Sequence, residues 1–237
     1  MMTLKQFADV CRKFDHIKFN DATHTYYVSK TVRYSGITSF LKSVKQPFDK
    51  EKWATIKAKQ KGVSKASIIN EWDNSGAIAI DKGKKVHYYL EMLWNNKIVD
   101  CPCQGARMFY ADYMDNMTLL KSEFVICDDD MMLASQLDGL FMDTKGGIII
   151  GDYKTNKDFT KESKYRLLHP CEDLFACHLD EYSLQVSFYK YMLQKAGMEV
   201  NDMWIIWIRD DGYKVIKAKD LTRHVELICK HHLSING

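Results

Sequence analysis

Residues 148–154 read Ile-Ile-Ile-Gly-Asp-Tyr-Lys, and no other segment constrains this chain as strongly. Three successive β-branched side chains are stiff at χ1 and favour a strand over a helix. A continuous apolar run of this length suits a strand covered on both faces, at the centre of a sheet. The same run ends in Asp152 and Lys154, two residues apart and therefore on one face of the strand.

The flanking sequence supplies the rest of a sheet. Leu119 to Cys127 reads as a strand, Asp128-Asp129-Asp130 as a turn, and Met131 to Phe141 as the returning strand. Thr144 to Gly147 is a second turn into the isoleucine run. Residues 155–180 are polar and irregular and predict a long loop. A helix is expected over 181–196 and a strand over 203–209. Asp210-Asp211-Gly212 turns into a strand over 213–218, and a helix covers 220–233. Upstream, Val86, Leu90 and Leu93 recur at helical spacing and predict a helix over 77–95, followed by another over 104–117. From residue 81 the order is α, α, β, β, β, α, β, β, α. That order defines an α/β fold with a central mixed sheet flanked by helices.

The N-terminal third reads differently. His24 to Val28 and Thr31 to Tyr34 form a hairpin around Ser29-Lys30 within residues 14–34. Thr38 or Ser39 caps a short helix reaching Val44. Residues 48–75 are helical but interrupted by Gly62. Two parts are expected: 1–76, a hairpin and basic helical segment packed on the core, and the core itself, 77–237.

Composition excludes several classes. With 46% hydrophobic and 12% aromatic residues, the chain has material for a full core and is not disordered. The longest apolar run, Met203 to Ile208, is far short of the roughly 20 residues needed to cross a bilayer. The first twenty residues lack the apolar stretch of a signal peptide. Seven cysteines at irregular spacings do not form a disulfide framework, which suits a reducing, cytoplasmic setting. Cys101-Pro102-Cys103 is too short and isolated for a zinc site. Net charge is only +3, but lysines 42, 45, 50, 52, 57, 59, 61 and 65 cluster, whereas residues 112–143 are acidic. A basic lobe beside an acidic centre can guide a polyanion toward bound cations. With Phe48 and Trp53 the lysine-rich region can clamp a single strand, aromatic rings stacking on bases.

The chemistry concentrates on Asp138 and Asp152. Asp138 lies on the strand that precedes the isoleucine run, and antiparallel pairing can bring it beside Asp152. Two carboxylates aimed at one point need a cation or a proton between them. Hard oxygen donors suit Mg²⁺ or Mn²⁺. A lysine beside such a cation can orient water or offset phosphate charge. On the preceding helix, His87 and Glu91 are four apart and share a face.

These segments resemble a known family. Leu137-Asp138-Gly139 followed by Ile149 to Thr155 resembles the PD-(D/E)XK nuclease signature, and most of all its RecB-like exonuclease branch. Gly83 to Glu91 is similar to that branch's helix with Gly, His and Glu. Gln185 to Tyr189 is similar to its later Gln–Tyr helix. His24-Thr25-Tyr26 and Ser35 to Leu41 resemble the entry segment of phage-type and mitochondrial genome-maintenance exonucleases. The four motifs occur in order over residues 83–189, and the likeness spans most of the chain except 42–75. Leu137 stands where the family name has proline.

The resemblance implies a restriction-endonuclease-like core and a Mg²⁺- or Mn²⁺-dependent deoxyribonuclease, an exonuclease in preference to an endonuclease. It implies that His87, Asp138 and Asp152 are metal ligands, with the Tyr153 carbonyl completing the shell. Lys154 would be the catalytic lysine, with Glu91 and Glu123 as outer carboxylates. Gln185 and Tyr189 would touch the DNA backbone or orient Lys154, with Lys157 and Trp53 as further nucleic-acid contacts. No late trio of closely spaced cysteines follows the Asp-x-Lys strand, so no iron–sulfur cluster is expected. The partners implied are DNA single strands or duplex ends, together with replication or recombination proteins, in the host cytoplasm if the chain is phage-encoded. The rival expectations are a catalytically inactive nuclease-like module that binds DNA or protein, and a structure-specific endonuclease.

Overall fold

The computed structural model describes residues 2–159 and 161–236. It is a mixed α/β protein with one eight-stranded sheet flanked by helices. The chain opens with α1 (Leu4–Arg12), capped reciprocally by Thr3 and Gln6, an arrangement that satisfies two orphan donors at the helix start. Three short strands follow, β1 (Lys18–Asn20), β2 (Thr25–Tyr27) and β3 (Arg33–Gly36). The expected hairpin is β2 with β3, Tyr26 opposite Tyr34. Its loop is wider than Ser29-Lys30, because Val28 N–H closes onto the Val32 carbonyl at 3.0 Å. Next come α2 (Ile37–Phe40), a 3₁₀ turn at Leu41–Val44, and α3 (Lys50–Lys61), which ends on Gly62 at φ +65°. The break expected at Gly62 is therefore a left-handed helix cap.

The next helix differs from expectation. α4 runs unbroken over Lys65–Trp94, thirty residues, starting with Ser64 as its cap rather than at residue 77. The expected 76/77 division falls inside it. Its first turns pack on α3 around Ala54, Ala58 and Ile68. Its last turns pack on the sheet through Val86, Tyr89 and Leu90. The remaining elements follow the expected order: α5 (Gln104–Tyr113), β4 (Met117–Asp128), β5 (Leu133–Asp143), β6 (Ile148–Lys154), α6 (His178–Lys195), β7 (Asp202–Ile208), β8 (Tyr213–Lys217) and α7 (Thr222–Asn236).

β5 organises the sheet. One edge pairs with β4 along its whole length. The other edge pairs with two strands, β3 in parallel at Leu133 and Ala134, and β6 antiparallel from Gly139 to Met142. β6 continues in parallel to β7, with α6 as the crossover, and β8 closes that side. Side chains of β6 and β7 alternate between two cores. Ile148, Ile150, Met203, Ile205 and Trp207 face the layer containing α6 and α7. Ile149, Tyr153, Ile206 and Ile208 face α4 and α5. That period of two puts Asp152 and Lys154 on the α6 side. No helix among the described residues is long and apolar enough to cross a membrane.

Candidate metal and catalytic site

Strands β5 and β6 pair as far as Gly139 opposite Gly151, and there their ladder stops. The next positions are Asp138 and Asp152, so both carboxylates stand in the fork where the strands separate. The two glycines permit this approach. A Cβ at either would overlap the Phe141 ring, which lies across both strands. β6 has left β5 beyond this point, and β3 pairs with β5 only at its start. Among the described residues no strand covers this edge of β5 between Ala134 and Gly139. The opening is a cleft of ≈ 850 Å³.

His87, Glu91, Glu123, Asp138, Asp152, Lys154, Gln185 and Tyr189 all line the cleft. α4 brings His87 from one side of the sheet, and its Nδ1 lies 3.2 Å from Asp138 Oδ1. The other oxygen, Oδ2, accepts the Tyr153 backbone N–H at 2.6 Å. Tyr153 thus acts here through its amide, and its ring is buried against His87 with centroids 5.6 Å apart. On the α6 side, Lys154 Nζ sits 2.6 Å from Asp152 Oδ2. That oxygen is buried and receives no hydrogen bond of good geometry. Gln185 Nε2 donates to Asp152 Oδ1 at 3.4 Å and to the Tyr189 hydroxyl.

Glu123 is closer to the centre than an outer carboxylate. The β4–β5 register, Ser122 opposite Gly139 and Phe124 opposite Leu137, sets Glu123 across from Asp138. His87, Glu123 and Asp138 form a cluster whose donor atoms lie within 4.8 Å of one another. The backbone at Glu123 is left-handed, φ +46°, a conformation a non-glycine residue adopts at a cost and one often found at functional sites. One imidazole nitrogen and two carboxylates in this spacing fit a divalent cation.

The charges show the same demand. Four carboxyl groups, Asp138, Asp152, Glu123 and Glu91, face His87 and Lys154 inside the cleft. Burial opposes a charged His87, but the negative charge and hydrogen bond of Asp138 prevail and lift it to about 9. Burial, then the charge of Asp138, pushes Glu123 up to about 8. Burial raises Asp152 to about 6 against the pull of Lys154. Burial also works against a charged Lys154, yet Asp152 and Asp138 more than offset it and hold the ammonium protonated. Asp138 is depressed despite its burial, because His87 and Lys154 face it and the Tyr153 amide bonds it.

Several expected residues behave differently. The Tyr189 ring is 1% exposed and belongs to the core, with its hydroxyl bonded to Ser135 and Gln185. Gln185 donates to Asp152, the carboxylate that pairs with Lys154, and so reaches Lys154 only through it. Lys154 is also steadied by Tyr182, its Nζ lying 4.7 Å from the ring centre. The Tyr182 hydroxyl donates to Asn156 at 2.9 Å, and its ring stacks on His178. Sequence reading missed Tyr182, although its position three residues before Gln185 places both on one helix face. Lys157 is exposed in the loop after β6, and Trp53 lies on α3 with 42% exposure. Neither lines the cleft. In the lysine-rich region, Lys45, Lys50, Lys61 and Lys65 are held by Glu181, Asp73, Glu71 and Glu51. No protein-family model matches the chain, and no curated protein matches it in sequence.

Proposed function

We propose that the chain is a divalent-metal-dependent nuclease of the PD-(D/E)XK type, hydrolysing DNA phosphodiester bonds, with single strands or duplex ends as substrates. The observation that carries this reading is the forked pair of strands. It leaves Asp138 and Asp152 at the first positions past the last paired residues, both lining an open cleft, with Lys154 beside Asp152 and His87 and Glu123 beside Asp138. His87, Glu123 and Asp138 would hold Mg²⁺ or Mn²⁺, with Asp152 adjoining. When bound, such a cation favours hydroxide over water and offsets charge on the phosphate.

The protein's own groups would do the rest. Lys154 keeps its proton and can donate to a phosphate oxygen or to the attacking water as negative charge develops. Asp152 fixes that ammonium, and Gln185 fixes Asp152. The Tyr182 ring limits where Lys154 can point. Attack by water at phosphorus with departure of the 3′ or 5′ oxygen needs no covalent intermediate.

The test is end-labelled single- and double-stranded DNA with Mg²⁺, Mn²⁺ or EDTA, comparing wild type with Lys154→Ala. Metal-dependent shortening that the variant loses supports the reading, and the labelled end gives the polarity. Closed circles left intact favour an exonuclease over a structure-specific endonuclease. Absence of cleavage by folded wild type with either metal overturns the proposal and leaves a binding module.

A further inference from the structure

A second group of donor side chains meets at the C-terminal end of β4, about 13 Å along the strand from Glu123 at about 3.3 Å per residue. His16 follows α1, Cys127 lies near the end of β4, and Asp129 begins the turn into β5. His16 Nε2, Cys127 Sγ and an Asp129 oxygen lie within 4.8 Å of one another. The imidazole–carboxylate separation is 2.9 Å, the imidazole–sulfur separation 3.7 Å and the sulfur–carboxylate separation 3.4 Å. Tetrahedral Zn²⁺, with bonds of about 2.0–2.1 Å to nitrogen or oxygen and about 2.3 Å to sulfur, places its donors about 3.4–3.6 Å apart. Two of the three separations already match. The third is a hydrogen-bonded contact and opens by about 0.5 Å when both donors turn to a cation.

The surroundings keep these donors in place. Cys127 is locked opposite Ala134 in the β4–β5 ladder. The Tyr34 hydroxyl donates to Asp129 at 2.9 Å, the kind of outer bond that orients a metal ligand. Lys195 binds Asp128 and Asp130 on either side, and among the described residues the ion pair of Asp129 is with His16 and not with an ammonium. The His16 and Asp129 side chains are 37% and 61% exposed, which leaves an entry path and room for water as a fourth ligand.

We propose that His16, Cys127 and Asp129 form a site for a borderline transition cation of the Zn²⁺ class. Thiolate and imidazole select such a cation over Mg²⁺, whereas no sulfur lines the cleft among the described residues. A bound ion clips the connection between α1 and β1 to the β4–β5 turn. The inference is independent of the nuclease reading.

Cobalt(II) tests it, because only a thiolate ligand gives sulfur-to-cobalt charge-transfer absorption in the near ultraviolet. One equivalent of Co²⁺ should produce that band in wild type, and Zn²⁺ should bleach it. Cys127→Ser should abolish the band, and a Cys101→Ser/Cys103→Ser double variant should retain it. Tyr34→Phe should weaken Co²⁺ binding about tenfold and His16→Ala by more than about 100-fold. No band in wild type at millimolar Co²⁺, or a band that survives in Cys127→Ser, overturns the proposal. If circular dichroism shows Cys127→Ser unfolded, the surface variant His16→Ala decides, and unchanged affinity in it is equally fatal.

Discussion

Glu123→Gln should stabilise the metal-free protein, increasingly so as pH rises. Glu123 is an acid whose folded pKa, about 8, stands above the ordinary 4.5, so its stability contribution is full below 4.5 and is lost as pH rises through 8. At 1.36 kcal/mol per pH unit, about 3 kcal/mol is already forfeited at pH 7 and about 5 kcal/mol once the group ionises. Glu123 is only partly buried at the cleft wall, so solvent screening reduces these to about 1–3 kcal/mol. Glutamine keeps the shape and removes the charge that meets Asp138. For a chain of this size, 1 kcal/mol corresponds to about 2–4 °C in Tm. In EDTA at pH 8 the variant should therefore melt roughly 2–12 °C above wild type, with the difference vanishing near pH 4. Mg²⁺ or Mn²⁺ should raise the wild-type Tm most at high pH and leave the variant nearly unmoved, because the ligand charge is gone. A variant that melts below wild type at pH 8 without metal would refute the crowding of Glu123 against Asp138.

Four further outcomes follow from the same geometry. Lys154→Ala should lower the cleavage rate about 10²- to 10³-fold in the end-label assay, the loss seen when one preorganised donor is removed. Tyr182→Leu should lower kcat about 2- to 30-fold with KM nearly unchanged, since one cation–π contact of about 0.5–2 kcal/mol steadies Lys154. Gly105→Ala should lower Tm by roughly 2–12 °C, because its Cβ would overlap the carbonyl oxygens of Gly212 and Arg209 and overpacking costs about 1–3 kcal/mol. Trp53→Ala should weaken single-strand binding about 5- to 150-fold if the α3 lobe stacks on bases at about 1–3 kcal/mol each, whereas unchanged affinity would assign that ring to the lobe alone.

Much of the sheet was legible because its signals are local. The isoleucine run, the turn at Thr144 to Gly147 and the acid–base spacing at Asp152 and Lys154 each depend on neighbours in sequence. Together they placed β5 beside β6 in the register found. The continuity of α4 was not legible. Asn74, Ser75 and Gly76 weaken a helix, but Gly costs only about 1 kcal/mol, and no proline falls between Pro47 and Pro102 to stop it. Stable turns on both sides carry the helix through. The burial of Tyr189 was not legible for a related reason: a Gln and a Tyr four apart mark one helix face without saying how deep that face lies, and here the ring is buried while the residue still lines the cleft.

The residues hardest to read were those whose role depends on a partner distant in sequence. Glu123 owes its position opposite Asp138 to the β4–β5 register, which shifts at a bulge between Leu119 and Lys121. Count that register without the bulge and Glu123 moves one step, away from the fork and to the other face of the sheet. No linear spacing announces this. The same holds for His16, which meets Cys127 and Asp129 across more than a hundred residues. In both clusters the strand ladder fixes one donor set, and a helix or a helix-flanking segment delivers the histidine. The sheet thus supplies Glu123, Asp138 and Cys127 at positions set by pairing, the turn after β4 supplies Asp129, and flanking segments supply nitrogen. That division explains why the carboxylates of the fork could be proposed from sequence. The histidines beside them required the packing of α4 and the α1–β1 connection against the sheet.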